Sequence, residues 1–148
     1  MDESIDLRGV RVLLVEDNPV NLLIGVAMLE QWGLDVTHCS DGRAAIDAVR
    51  AAAEDQRPYA LVLMDLQMPV MGGAQAAQEL RREFGPQELP IIALTAAALV
   101  SEREAALEAG MNDFLTKPLD ASVLHRMLCR WVAVRTRGAG ASERDAPI

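Results

Sequence analysis

Five residues of types that do chemistry stand where short apolar runs end. Glu16-Asp17 follows VRVLLV, Asp65 follows YALVLM, Thr95 follows PIIAL, and Lys117 follows DFLT. Together they are three carboxylates, one hydroxyl and one ammonium. Carboxylates gathered at one place repel one another unless a cation shares them. A hard divalent cation that prefers oxygen answers that need, and Mg²⁺, which keeps waters and works beside phosphoryl groups, is the obvious choice. Lys117 and Thr95 then offer a point charge and a hydroxyl donor to phosphoryl oxygens. A carboxylate facing a phosphoryl donor can act as the nucleophile. Asp65, on the most central run, is the best candidate.

Lys117 draws notice for a second reason. It is the only lysine in the chain, against thirteen arginines. A chain that uses arginine everywhere else needs a compact ammonium at this one position.

These residues converge only if the runs are parallel strands. The strand-like runs are Val10 to Val15, Leu34 to Cys39, Tyr59 to Met64, Pro90 to Leu94 and Asp113 to Thr116. Helical patterns lie between them. Asn18-Pro19 reads as an N-cap with Pro at the first helical position, and Gly33 as the stop. Asp41 can cap a second helix and Gly72-Gly73 opens a third, while Ala97 to Ala109 and Leu119 to Val134 read as the fourth and fifth. Strands alternating with helices predict an α/β, doubly wound, five-stranded parallel sheet of order 2-1-3-4-5. VLLV and ALVLM are apolar without alternation, as strands covered on both faces should be. In such a sheet, ligands bind outside the carboxyl ends of the strands.

Composition narrows the function classes. With 148 residues the chain holds one ordinary domain. Its 14 basic against 22 acidic residues leave a net charge of −8, a poor match for nucleic-acid phosphates. Apolar residues make up 51% of the chain, enough for a core, yet no run approaches a membrane span. The start lacks the pattern of a secretory signal, so a cytoplasmic protein without membrane contact of its own is expected. Cys39, Cys129, His38 and His125 show no metal-ligand spacing. Residues 1–8 read as a loose arm, 9–134 as the folded domain, and 135–148, rich in Gly, Ser and Arg, as a disordered tail or linker. The segment Pro19 to Trp32 is apolar nearly all round, more so than one buried face requires, which suggests a docking patch for a partner helix bundle.

Four segments, VLLVEDNPVN (12–21), LVLMDLQMPVMGG (61–73), IIALTA (91–96) and GMNDFLTKP (110–118), together resemble the receiver domains of two-component phosphorelays. The wording is most similar to receivers attached to hybrid histidine kinases, and the likeness spans about residues 8 to 134. The resemblance implies a flavodoxin-like fold and a phosphoacceptor module, not an enzyme, loaded by a histidine kinase or histidine phosphotransfer domain. It implies Asp65 as phosphoacceptor, Asp17 as a direct Mg²⁺ ligand, and Glu16 as an acidic partner acting mostly through water. Gln67 would offer its backbone carbonyl to the metal, Lys117 would hold a phosphoryl oxygen, and Thr95 and Phe114 would form the switch pair. Two departures are expected to matter. Gly73 stands where such receivers often carry aspartate, so the loop after Asp65 should be looser, and Phe114 lacks the hydroxyl of the more usual tyrosine. The alternatives are an aspartate-nucleophile phosphohydrolase and a receiver used as a phosphorylation-independent binding platform. The hydrolase needs a second acid two residues after its nucleophile, where this chain has Gln67.

Overall fold

The computed structural model describes residues 6–68, 70–96 and 100–145, with side chains described as far as residue 133. Strands and helices alternate strictly: β1 (Arg11–Val15), α1 (Pro19–Gln31), β2 (Asp35–Cys39), α2 (Gly42–Glu54), β3 (Leu61–Asp65), α3 (Gly73–Arg81), β4 (Ile91–Thr95), α4 (Val100–Glu108), β5 (Asp113–Thr116) and α5 (Ala121–Asp145). The strands form one parallel sheet in the order β2-β1-β3-β4-β5. That is the order expected from the sequence.

The period-2 alternation of β1 sorts its side chains between two layers. Leu13 and Val15 face a core built with Ala45, Ile46 and Val49 of α2, Ala76, Ala77 and Leu80 of α3, and Ala106 of α4. Val12 and Leu14 face the other core, with Leu29 of α1 and Leu124, Leu128 and Val132 of α5. β3 and β4 are buried at every residue, which explains their unbroken apolar runs.

The caps read from the sequence are present. Asn18 Oδ1 accepts from the Val20 and Asn21 backbone N–H groups at 2.9 and 3.0 Å, with Pro19 opening the helix. Asp41 Oδ1 accepts from Ala44 N at 2.8 Å. At the start of α5, not read as capped from the sequence above, Asp120 Oδ1 likewise accepts from Ser122 N and Val123 N. Gly33 adopts φ +82, the left-handed turn that ends α1.

Three expectations need correction or lie out of reach. Of the loose arm, residues 1–5 lie outside the described residues, but Leu7 is buried against the α1–α5 core and Val10 N donates to its carbonyl. The helical backbone of α5 does not stop at Val134 but continues to Asp145. Adding residues to an existing helix carries no nucleation cost, so the helical backbone continues through Gly138 and Gly140 despite their low propensity. The expected start of the fourth helix at Ala97 falls among residues outside the described set. Among the described residues, no helix is long and apolar enough to cross a membrane.

Candidate functional site at the strand ends

Because every strand runs the same way, all five carboxyl ends lie on one edge of the sheet. The winding reverses between β1, whose chain goes outward to β2, and β3 on its other side. That reversal leaves a crevice at the carboxyl ends, where loops diverge to opposite faces. Glu16 and Asp17 enter it from β1, and Asp65, the last residue of β3, enters from the neighbouring strand.

One ligand oxygen from each of Glu16, Asp17 and Asp65 lies within 4.8 Å of the others. Glu16 and Asp65 are buried while Asp17 is exposed, so the cluster is closed at its base and open to water above. Lys117 crosses from the end of β5 and places Nζ 2.8 Å from both Glu16 Oε1 and Asp65 Oδ2. Its backbone is held by a hydrogen bond from Lys117 N to the Thr95 carbonyl at 2.8 Å. Burial disfavours the ammonium, but the hydrogen bonds to Asp65 and Glu16 outweigh it and raise the lysine above its ordinary pKa. Lys117 is therefore a permanent cation at neutral pH. Three carboxylates and one ammonium leave two negative charges, which suits a divalent cation on the open side.

The loops hold the carboxylates in place. Asp65 Oδ1 accepts from Gln67 N at 3.0 Å, and Glu16 Oε2 accepts from Asn18 N at 3.2 Å. Gln67 itself is exposed at the rim. Gly73 does not loosen the loop as expected. A Cβ there would lie 2.3 Å from the Asp65 carbonyl oxygen and 3.1 Å from Leu66 Cα, so the chain passes too close for any side chain, aspartate included. Gly72, with 3.3 Å to its nearest contact, has more room, and as N-cap of α3 it offers no side-chain bond.

Thr95 ends β4, buried, and Phe114 lies on β5 opposite Ala93. The hydroxyl of Thr95 donates to Glu102 Oε1 of α4 at 2.6 Å. The half-buried Phe114 ring lies 4.5 Å beneath the Arg103 guanidinium. Neither α4 residue was singled out from the sequence. A carboxylate in the first turn of a helix reads as an ordinary helix-dipole partner, and only tertiary packing turns it toward Thr95.

A doubly wound five-stranded sheet of this order has the CheY-like fold, here with an acidic cluster and a lysine at its switch point. The chain belongs to the response regulator receiver domain family, which residues 12–129 match. It is similar to the sensor histidine kinase GacS of Pseudomonas protegens, at 40% identity over 97% of this chain and 16% of that kinase. It thus spans about a sixth of that relative's length. It also resembles the receiver domain of the sensor histidine kinase PA1611 from Pseudomonas aeruginosa PAO1, solved with a magnesium ion in the active site cleft. That match has a TM-score of 0.72 and 46% identity, covering 84% of this chain and 98% of the other. The yeast receiver domain of Ssk1, crystallised with the histidine phosphotransfer protein Ypd1, gives a TM-score of 0.75 and 28% identity over 87% of this chain and 92% of that one. Signalling by phosphorelay, expected from the motifs, is the function of the family.

Proposed function

We propose that this chain takes a phosphoryl group from a phosphohistidine onto Asp65. The observation that carries this is the position of Asp65 Oδ2, 2.8 Å from Lys117 Nζ within a three-carboxylate cluster open to water on one side. An Asp65 carboxylate oxygen forms the new P–O bond as the donor P–N bond breaks, and that electron pair returns to the imidazole nitrogen. Lys117 meets a phosphoryl oxygen and stabilises its charge. The Gln67 backbone N–H steadies the carboxylate. Glu16, Asp17, Asp65 and the Gln67 carbonyl would hold Mg²⁺, and the magnesium in the PA1611 receiver supports that assignment. The metal, when bound, neutralises charge on the transferring group.

This makes the chain a phosphoacceptor acting on the cytoplasmic side of a relay, with no need for a hydrolase's general acid. Its partner is a histidine kinase or histidine phosphotransfer domain docking on α1. Val20, Leu23 and Ile24 expose 64%, 71% and 47% of their surface there, an apolar patch a turn or two beyond Asp17. Ile24 and Asn21 also line a cleft with Glu16, Lys117, Pro118 and Leu119, so the patch runs into the site. The crystal structure of the Ssk1 receiver domain with the histidine phosphotransfer protein Ypd1 supports a phosphotransfer protein as partner.

Incubation with acetyl phosphate and Mg²⁺, or with a phosphorylated phosphotransfer protein, should add about 80 Da, one phosphoryl group, at Asp65. Asp65→Asn, nearly isosteric, should fold and abolish labelling. Labelling that persists on another carboxylate of that variant would overturn the assignment.

A further inference from the structure

Both members of the switch pair are held by consecutive residues of one helix. Thr95 Oγ1 gives its proton to Glu102 Oε1 at 2.6 Å, the short separation of a charge-assisted O–H···O⁻ bond. Arg103, the next residue, caps the Phe114 ring at 4.5 Å, within cation–π range. A threonine hydroxyl has one hydrogen to donate. While Glu102 accepts it, a phosphoryl oxygen on Asp65 cannot.

We propose that Glu102 and Arg103 form a latch on α4 that opposes switching, Glu102 by competing for the single Thr95 proton and Arg103 by capping Phe114. The two are positioning residues and touch neither Asp65 nor the acidic cluster in this arrangement. Drawing Thr95 toward a phosphoryl oxygen breaks a hydrogen bond to an ionised acceptor, and moving the ring inward breaks the guanidinium contact. Both losses fall on α4. Its surface, which exposes Val100 and Leu107, is therefore coupled to the chemistry at Asp65 through side chains as well as through the backbone. The strength of the latch sets what fraction of the protein is switched at a given occupancy.

The proposal rests on the Asp65 reading for what competes with Glu102, so the test separates the two. Beryllofluoride with Mg²⁺ serves as the phosphoryl mimic, on the full chain. Glu102→Ala should bind it about tenfold more tightly than wild type, the effect of removing one charge-assisted hydrogen bond that switching must break. Glu102→Gln, which keeps an acceptor without the charge, should fall between. Glu104→Ala removes a like charge from an exposed position of the same helix, and should change affinity by no more than about twofold, as screened surface charges do.

Without any ligand, the Thr95 methyl ¹³C shift should move in Glu102→Ala but not in Glu104→Ala, and the Phe114 ring protons should move in Arg103→Ala. Equal tightening by Glu102→Ala and Glu104→Ala would mean that charge alone acts, and would overturn the latch. So would a Glu102→Ala affinity within about twofold of wild type, or an unmoved Thr95 methyl. A wild type that fails to bind beryllofluoride while the Thr95 methyl still moves in Glu102→Ala would overturn the phosphoacceptor reading and leave the hydrogen-bond latch standing.

Discussion

Deleting the Lys117 ammonium isolates what this one cation does for the fold. Lys117→Met keeps much of the side-chain stem and removes the charge. The two carboxylates it bridges at 2.8 Å have side chains only 3% and 7% exposed, and the lysine side chain is 18% exposed. Removing one partner of a buried ion pair typically costs about 3–5 kcal/mol. Two effects reduce that figure here. Asp65 and Glu16 keep their backbone hydrogen bonds from Gln67 and Asn18, and the cluster is open to water beside the exposed Asp17, which screens the charges left behind. A loss of about 2–3 kcal/mol at pH 7 follows, or about 10 °C in Tm for a domain of this size.

The response to a divalent cation identifies the cause. In the variant, two buried carboxylates stand together with no ammonium between them, so a cation bound at the cluster favours folding. Millimolar Mg²⁺ should restore more stability to Lys117→Met than it adds to wild type, and Lys117→Arg should recover most of the loss. The assay is urea and thermal unfolding followed by circular dichroism at pH 7, with EDTA and with Mg²⁺. A deficit below about 0.5 kcal/mol, the range of ordinary surface changes, would refute the electrostatic account. A deficit equal in EDTA and in Mg²⁺ would show instead that Lys117 acts by packing.

Gly73→Ala should cost about 2 kcal/mol or more and shift the amides of Asp65 to Gln67, because the new Cβ meets backbone on two sides; Gly72→Ala, with a nearest contact of 3.3 Å, should cost under about 1 kcal/mol in the same unfolding assay. Leu23→Arg, at a position 71% exposed, should leave Tm and beryllofluoride binding unchanged. Transfer from a phosphorylated phosphotransfer protein should nonetheless slow about tenfold, as loss of an apolar anchor does; an unchanged rate would remove α1 from the docking surface. Cys39 is pushed up to about 11 by burial and then by the nearby Asp41 carboxylate. Its alkylation rate by iodoacetamide should keep rising past pH 9 toward pH 11. Because the folded thiol holds its proton above the ordinary value of 9.0, the associated stability is present below pH 9 and lost as pH rises toward 11. A rate that levels off near pH 9 would contradict this.

The apolar runs and their caps made the strand order, the layering and the convergence of Glu16, Asp17, Asp65 and Lys117 legible before any coordinates. Such features are local. Burial on both faces forces unbroken apolar strands, Asn18 and Asp41 cap the helices that follow them, and a parallel alternation leaves few topologies to choose from. Asp65 could be singled out as the candidate nucleophile because it ends a central strand of a parallel sheet, where ligands bind. Other properties depended on distances between segments remote in sequence. Leu7 is core because its short arm packs beneath α1 and α5, and α5 extends past a composition that reads as linker because its helix is already nucleated. Gly73 is obligatory because α3 begins against the Asp65 carbonyl, a contact that no residue pattern announces. The hold of α4 on Thr95 and Phe114 is the clearest case. Glu102 and Arg103 look like ordinary charges on a polar helix, and the packing of α4 against β4 and β5 alone gives one to Thr95 and the other to Phe114.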